Sequence, residues 1–284
     1  MTGTELAGIV DAMPEDEYHA NPALGSTSIK YLLKSPAKYR QYISEPEKPK
    51  AEYDLGSLVH SRVLGVGPQV AVYPEAFLAS NGAASTAAAK AWAAEQRESG
   101  LIPMKADAAA DVHNMAEAVL AHRGARRILE TAPGREVSAF ATDPATNVDV
   151  KARIDIYGDQ ECADLKSCTD ASRDGFTRAV WKFRYDVQQE HYLKVLELLG
   201  LGRPRFRFIA VENTAPFLVA VYELDEQWQE IGDVWATAAR RIYRECTDAG
   251  IWPGYGTETH TLRPPVGLIY EHQDRFESQE MVVA

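Results

Sequence analysis

The sequence has few cysteines. Its 284 residues contain three, Cys162, Cys168 and Cys246, and none of them forms a C-x-x-C pair. Small disulfide-stabilised proteins carry more, and an iron–sulfur cluster held by cysteine needs four thiolate ligands. The count argues against a disulfide framework and excludes a four-cysteine iron–sulfur cluster within these 284 residues. It suits a reducing compartment.

Positive charge is also scarce. Lysine and arginine total 30, against 41 aspartate and glutamate residues, which gives a formal net charge of −11 at pH 7. Nucleic-acid-binding proteins are usually basic, so the overall charge counts against a general nucleic-acid binder. It does not exclude an enzyme that contacts a polyanion through a local groove or a bound metal ion.

Long hydrophobic runs are missing as well. No stretch approaches the roughly 20 consecutive apolar residues that a membrane-spanning helix needs. Residues 1–19 are acidic and lack the basic and apolar regions of a secretory signal peptide. We therefore expect a cytoplasmic protein with no membrane partner.

What is present is typical of a globular protein with a full core. Hydrophobic residues make up 45% and charged residues 25% of the chain. From about residue 14 to 130 the pattern is helical, with helices predicted over 54–65, 83–98 and 106–130. From about 135 to 250 the predicted order is β-β-β-α-α-β-β-α. This order predicts an α/β (α+β) fold, a central mixed sheet flanked by helices, with no evident domain boundary.

The stretch RIDIYGDQECADLKS, residues 153–167, carries the most chemical information. If residues 158–161 form a hairpin loop, Asp155 lies across from Asp164, and Lys166 follows on the same face. Facing carboxylates repel each other unless a proton or a cation lies between them. A divalent ion with oxygen ligands meets that need, and an adjacent ammonium can stabilise a phosphate or help to orient or deprotonate the attacking water. The pattern favours metal-assisted phosphodiester hydrolysis, with a solvated hairpin face as the alternative.

Four motifs in chain order extend this pattern. They are G-x-x-x-H at Gly56–His60, R-I-D at Arg153–Asp155, D-L-K-S at Asp164–Ser167, and Y-x-x-Q-x-x-x-Y at Tyr185, Gln188 and Tyr192. In these motifs the chain resembles the PD-(D/E)XK nuclease superfamily. Within it, the chain is similar to the exonuclease VIII (RecE-type) and lambda-exonuclease-like branch of phage recombination. The likeness extends from about residue 14 to 256.

The resemblance implies a restriction-endonuclease-like core in a single domain over 1–284. Its helical part would cover about 14–130 and its catalytic sheet about 135–250. It also implies a Mg²⁺-dependent exonuclease, with Mn²⁺ as the other candidate ion. Such an enzyme would degrade one strand of linear duplex DNA, 5′ to 3′, to give 3′ single-stranded tails. The expected partners are DNA ends, further copies of the chain in a closed ring, and a single-strand annealing protein, in a bacterial or phage-infected cell.

The candidate site residues fall into three groups. The catalytic group is Asp155, Asp164, Lys166, Gln188 and His60. The metal ligands are Asp155, Asp164, the backbone carbonyl of Leu165, which the resemblance implies, His60 and Glu136. The residues expected to contact DNA are Arg153, Arg178, Lys182, Arg184 and Tyr192. Whether Glu136 and His60 bind the metal directly stays open at this point. A catalytically silent DNA-end-binding or assembly module on the same fold is the alternative function.

Overall fold

The computed structural model describes residues 7–45 and 51–280, and the side chains of 55–275 within the second range. The chain divides into two compact units, Met1–Trp252 and Pro253–Ala284. The single domain over 1–284 stays a prediction. Within the described ranges, no helix is both long and apolar enough to cross a membrane.

A six-stranded sheet forms the centre of the first unit, with the order β1-β4-β5-β6-β7-β8. Only β6 and β7 pair in parallel, and the other neighbours are antiparallel. A separate small sheet pairs β2 with β3 in parallel. The predicted central mixed sheet is therefore confirmed. The strands are β1 (Gly8–Val10), β2 (Gln69–Val72), β3 (Leu101–Met104), β4 (Gly134–Asp143), β5 (Val148–Tyr157), β6 (Glu161–Cys168), β7 (Arg205–Glu212) and β8 (Val219–Tyr222).

Helices surround this sheet in the order that the sequence predicts. The first unit contains α1 (Glu15–Ala20), α2 (Ser26–Lys34), α3 (Pro36–Ser44), α4 (Ala51–Leu64), α5 (Ala87–Glu98), α6 (Ala106–Ala121), α7 (Arg123–Thr131), α8 (Arg173–Phe183), α9 (Tyr185–Leu198) and α10 (Glu226–Ala249). The second unit contains α11 (Val266–Glu280), which follows a segment without regular structure.

Three details differ from the sequence-based expectation. The helix predicted over 106–130 is two helices, because His122 is extended and its side chain accepts the N–H of Ala125 as the cap of α7. The strands β1, β2 and β3 were not predicted, and each has only three or four residues. The hairpin loop is one residue shorter than expected, because Glu161 already belongs to β6.

The sheet separates two large apolar clusters. Alternate residues of β7 show this, since Phe208 packs into the first cluster and Ile209 into the second. Helices α2 and α9 contribute to the first cluster, and α4 and α6 to the second. On β5, Ile154 belongs to the first cluster but Ile156 to the second, so the expected strict alternation breaks at Asp155.

The segment between α1 and α2 is fixed to β5 by main-chain and side-chain bonds. Leu24 donates to the carbonyl of Asp149 at 2.8 Å and accepts the N–H of Lys151 at 3.1 Å. The buried Lys151 ammonium donates to the carbonyls of Tyr18 and Asn21, both at 2.7 Å. These bonds anchor the start of α2 beside the strand that carries Asp155.

Candidate active site

Asp155 lies where β5 and β6 separate. The two strands pair at Ile156 and Ala163, and one residue further along each strand that register sets Asp155 opposite Asp164. The N–H of Leu165 then donates to Oδ2 of Asp155 at 2.8 Å. The Asp155 carboxylate thus accepts the N–H that would otherwise donate to a backbone carbonyl of β5. Because N–H and C=O of one strand residue point to the same side, the Leu165 carbonyl also faces this gap.

His60 and Glu136 converge on Asp155 from two other elements. One ligand atom from each of the three residues lies within 4.8 Å of the others. His60 comes from α4, and its Nδ1 is 3.4 Å from Oδ2 of Asp155. Glu136 comes from β4, opposite Asp155, where the ladder skips one pair and the φ of Glu136 is +49°. Such a left-handed conformation is uncommon outside glycine and marks a local distortion of the strand at the site.

A second group forms around Asp164 on β6. Gln188 on α9 donates from Nε2 to Oδ1 of Asp164 at 2.6 Å, and Lys166 pairs with Oδ2 of the same carboxylate. Lys166 also donates to Oε1 of Gln188 at 3.3 Å and lies 4.7 Å from the ring centre of Tyr185. Asp164 is therefore oriented by these two residues, whereas Asp155 belongs to the group with His60 and Glu136.

Burial and neighbouring charges shift the pKa values of Asp155, His60 and Lys166. Burial raises the pKa of Asp155 well above its ordinary value, and the neighbouring Asp164 and Glu136 carboxylates add to the effect. Burial lowers the pKa of His60, which favours the neutral imidazole that can ligate a metal. Burial alone would lower the pKa of Lys166, but Asp164, Tyr185 and Asp155 together outweigh it and the net pKa is raised. Lys166 is therefore held as an ammonium.

The predicted DNA-contacting residues differ in their exposure and in their partners. Arg153 donates to Glu136 at 2.7 Å, and Arg184 pairs with the buried Asp186 at 2.8 Å. Their DNA contacts stay predictions. Arg178 is exposed and pairs with Asp170, and Lys182 is exposed on α8. Tyr192 is buried, and its hydroxyl lies 3.5 Å from that of Ser26.

Sequence reasoning missed Lys30. Its Nζ donates to Oε1 of Gln188 at 3.2 Å, so α2 contributes a cation to the site. Ser26 and Lys30 are four residues apart on α2 and contact Tyr192 and Gln188, which are four apart on α9. Matching i, i+4 pairs of this kind are readable only once the two helices are known to pack together.

Comparison with protein families gives one match that covers most of the chain. Residues 25–264 match a family described as a PDDEXK-like domain of unknown function (DUF3799). The chain belongs to this family. The resemblance to the PD-(D/E)XK nuclease superfamily is thereby confirmed, while the RecE-type branch is not decided by the match.

A solved structure supports the same fold. A crystal structure of a Eubacterium rectale protein described as a "putative exonuclease" superposes with a TM-score of 0.61 at 10% sequence identity. The match covers 90% of this chain and 97% of that one. At this identity the likeness establishes the restriction-endonuclease-like fold. No curated protein sequence matches the chain.

The donor set fits a divalent cation. Enzymes of the PD-(D/E)XK type use divalent metals, and such ions accept carboxylate, carbonyl and imidazole ligands. His60, Glu136 and Asp155 already offer three ligand atoms within 4.8 Å. Burial first, and then the neighbouring Asp164 and Glu136 carboxylates, raise the pKa of Asp155, and a cation would neutralise that negative charge. The Leu165 carbonyl faces the same gap. The described residues therefore can hold the metal that the family implies.

Proposed function

We propose that the chain is a metal-dependent nuclease that hydrolyses phosphodiester bonds of DNA. The observation that carries this proposal is the convergence of His60, Glu136 and Asp155 within 4.8 Å, on three different elements. Beside it stands the group in which Gln188 and Lys166 hold Asp164. Structural proteins have no need to bury adjacent carboxylates whose charges repel each other.

Each residue has a chemical role in this proposal. His60, Glu136, Asp155 and the Leu165 carbonyl, with Asp164 adjacent, would hold the metal, which when bound would supply the activation of a water molecule and the neutralisation of charge on the phosphate. Lys166, kept protonated by Asp164, donates a hydrogen bond to a phosphate oxygen as negative charge develops there. Gln188 holds the orientation of both Asp164 and Lys166 through its amide.

The finer proposal is a 5′ to 3′ exonuclease on linear duplex DNA, acting in the cytoplasm and leaving 3′ single-stranded tails for recombination. It draws on the motif resemblance to the RecE-type branch and on the described exonuclease whose fold this chain shares. A closed homo-oligomeric ring and a single-strand annealing partner belong to the same proposal. Mg²⁺ is the expected ion, with Mn²⁺ as a substitute.

The direct test is digestion of linear plasmid by the purified protein with Mg²⁺, Mn²⁺ or EDTA. Nucleotide release with either ion and none with EDTA is the expected result. Lys166→Ala should abolish release while DNA binding survives, and Lys194→Ala, which removes a surface ammonium paired with Glu197, should behave like the wild type. Unchanged release by the Lys166 variant would remove that residue from the mechanism.

Two further experiments separate the remaining possibilities. Binding to DNA ends in EDTA, with no digestion under any ion, would favour a catalytically silent end-binding module. If digestion occurs, duplexes labelled at the 5′ or the 3′ end and sampled over time measure the polarity. Early release of the 5′ label alone is the result expected, whereas internal cuts would indicate an endonuclease.

A further inference from the structure

A second lysine lies beside Lys166 in the site. Lys30 and Lys166 both donate to Oε1 of Gln188, at 3.2 and 3.3 Å, so their nitrogens are at most 6.5 Å apart, the sum of the two distances. Both ammonium groups also lie near the ring of Tyr185, at 5.4 Å for Lys30 and 4.7 Å for Lys166. The two cations thus share one acceptor and one aromatic ring.

The amide of Gln188 is oriented by its neighbours. Its Nε2 donates to the Asp164 carboxylate at 2.6 Å, so Oε1 is the atom that faces the two ammonium groups. An ammonium has three protons to donate. With one proton of Lys30 used on Gln188, the remaining donors of that group are open to another acceptor.

The charge of Lys30 is poorly compensated compared with that of Lys166. Lys166 has Asp164 as an ion-pair partner, whereas no carboxylate among the described residues lies within 4.0 Å of the Lys30 ammonium. Burial lowers the pKa of Lys30 to about 7, repulsion by Lys166 adds to the effect, and Asp164 and Asp186 oppose it. A half-buried cation in this position is stabilised by an anion that enters the site.

We propose that Lys30 and Lys166 together bind one backbone phosphate of the DNA strand that is cut. This inference rests on the nuclease function proposed above and adds to it a phosphate-binding residue from α2. Charge-assisted N–H···O bonds are about 2.8 Å long, so two ammonium groups this close can each donate to a different oxygen of one phosphate. Lys30 contacts substrate directly in this arrangement and at the same time holds Gln188.

A purely structural role for Lys30, as a support for Gln188, predicts different behaviour. Loss of a phosphate contact changes the salt dependence of DNA binding, whereas loss of a support does not. The informative variants are Lys30→Met, which keeps the length of the side chain without the charge, and Lys30→Arg, which keeps the charge. Lys34→Met is the matched control, because Lys34 is an exposed lysine one turn further along α2 and contacts the ring of Tyr31.

The experiment measures binding of each variant to a linear duplex in EDTA over a range of salt concentrations, followed by steady-state cleavage with Mg²⁺. For Lys30→Met we expect the slope of log K against log salt to be shallower by about 0.9, which is one phosphate contact. We also expect kcat/KM to fall about tenfold or more, the usual cost of one charged hydrogen bond. Lys30→Arg should keep the wild-type slope, and Lys34→Met should match the wild type in both measurements.

An unchanged slope in Lys30→Met, with that variant folded by circular dichroism, would overturn the phosphate contact. If Lys30→Met does not fold, the slope of Lys30→Gln decides by the same criterion. The nuclease proposal fails separately, when the wild type digests no DNA with any ion. The slope in EDTA is measured without cleavage, so the two failures remain distinguishable.

Discussion

The backbone N–H of Leu165 donates to Oδ2 of Asp155 at 2.8 Å, across the gap where β5 and β6 separate. A main-chain group therefore fixes one carboxylate oxygen of the site, and no rotation of a flexible side chain is needed to position it. Main-chain anchoring of this kind lowers the entropy lost when a ligand binds. The same gap gives α4 access to the carboxylate through His60.

Metal binding should stabilise the fold through Asp155. Divalent ions at ten times their dissociation constant should raise the free energy of unfolding by about 1.4 kcal/mol, which corresponds to roughly 2–4 °C in the melting temperature. Asp155→Asn keeps an oxygen for the Leu165 N–H but loses the charge, so its melting temperature should not respond to the ion. Asp149→Asn, on the same strand, should respond like the wild type. A full response in the Asp155 variant would exclude that residue as a ligand.

His191 should make the protein less stable in acid. Burial lowers the pKa of His191 to about 4, and the charges of Arg240 and Lys30 add to the effect, while the bond that its Nε2–H donates to the Lys151 carbonyl opposes it. In the unfolded state His191 takes up a proton near pH 6.5, whereas in the folded state it does so only near pH 4. Its contribution to the free energy of unfolding is therefore fully present above pH 6.5 and is lost as the pH falls from 6.5 toward 4. By pH 5 this residue should account for about 2 kcal/mol of lost stability.

Urea unfolding at pH 7.5 and pH 5.0 measures this effect. His191→Gln keeps an N–H donor without a titrating group, so its loss of stability between the two pH values should be smaller by about that amount. His19→Gln, at an exposed position on α1, should lose as much stability as the wild type. Equal losses in the wild type and the His191 variant would contradict the assignment.

Gly232 should tolerate no side chain. A Cβ on this residue of α10 would lie 2.5 Å from the carbonyl oxygen of Asp186 on α9, which is backbone and cannot move away cheaply. Gly232→Ala should therefore destabilise the protein by about 1–3 kcal/mol, although alanine is the better helix former. Gly267→Ala in α11 meets nothing within 4 Å and is the control. Denaturant melts of both variants test this, and a Gly232 variant as stable as the wild type would contradict the close packing of α9 and α10.

The buried pair of Asp143 and Arg240 should couple strongly. Arg240 donates from Nε to Oδ2 of Asp143 at 2.9 Å, and both side chains are at most 5% exposed. Arg240→Met should cost about 3–5 kcal/mol, because it leaves the carboxylate buried without its partner. The double variant with Asp143→Asn should recover part of that loss. A double-mutant cycle measured by chemical unfolding tests this, and strictly additive effects would argue against the pair.

Sequence reasoning succeeded where the information was local. The alternation of β4 to β6 and the short loop after Tyr157 were sufficient to set Asp155 opposite Asp164, because a hairpin register follows from period and loop length. It failed for contacts between distant segments. Lys30 and Gln188 are 158 residues apart in sequence, and nothing in either segment predicts that α2 packs against α9.

Two ion pairs were not predicted either. Arg153 and Arg184 each have a carboxylate partner, Glu136 and Asp186 respectively, and their DNA contacts stay predictions. The strands β2 and β3 escaped prediction because four residues are too few to establish a period of two. The distortion at Glu136 likewise depends on the neighbouring strand and has no local signature.

The middle of α9 has four consecutive polar residues, Gln188, Gln189, Glu190 and His191, and all are buried. Successive residues of a helix point about 100° apart, so this run projects in every direction, toward Asp164, Arg203 and the Lys151 carbonyl among others. A single inserted residue ahead of it would turn all four away from their partners together. The number of residues that precede this run in α9 is therefore fixed, because it sets the direction of all four buried side chains.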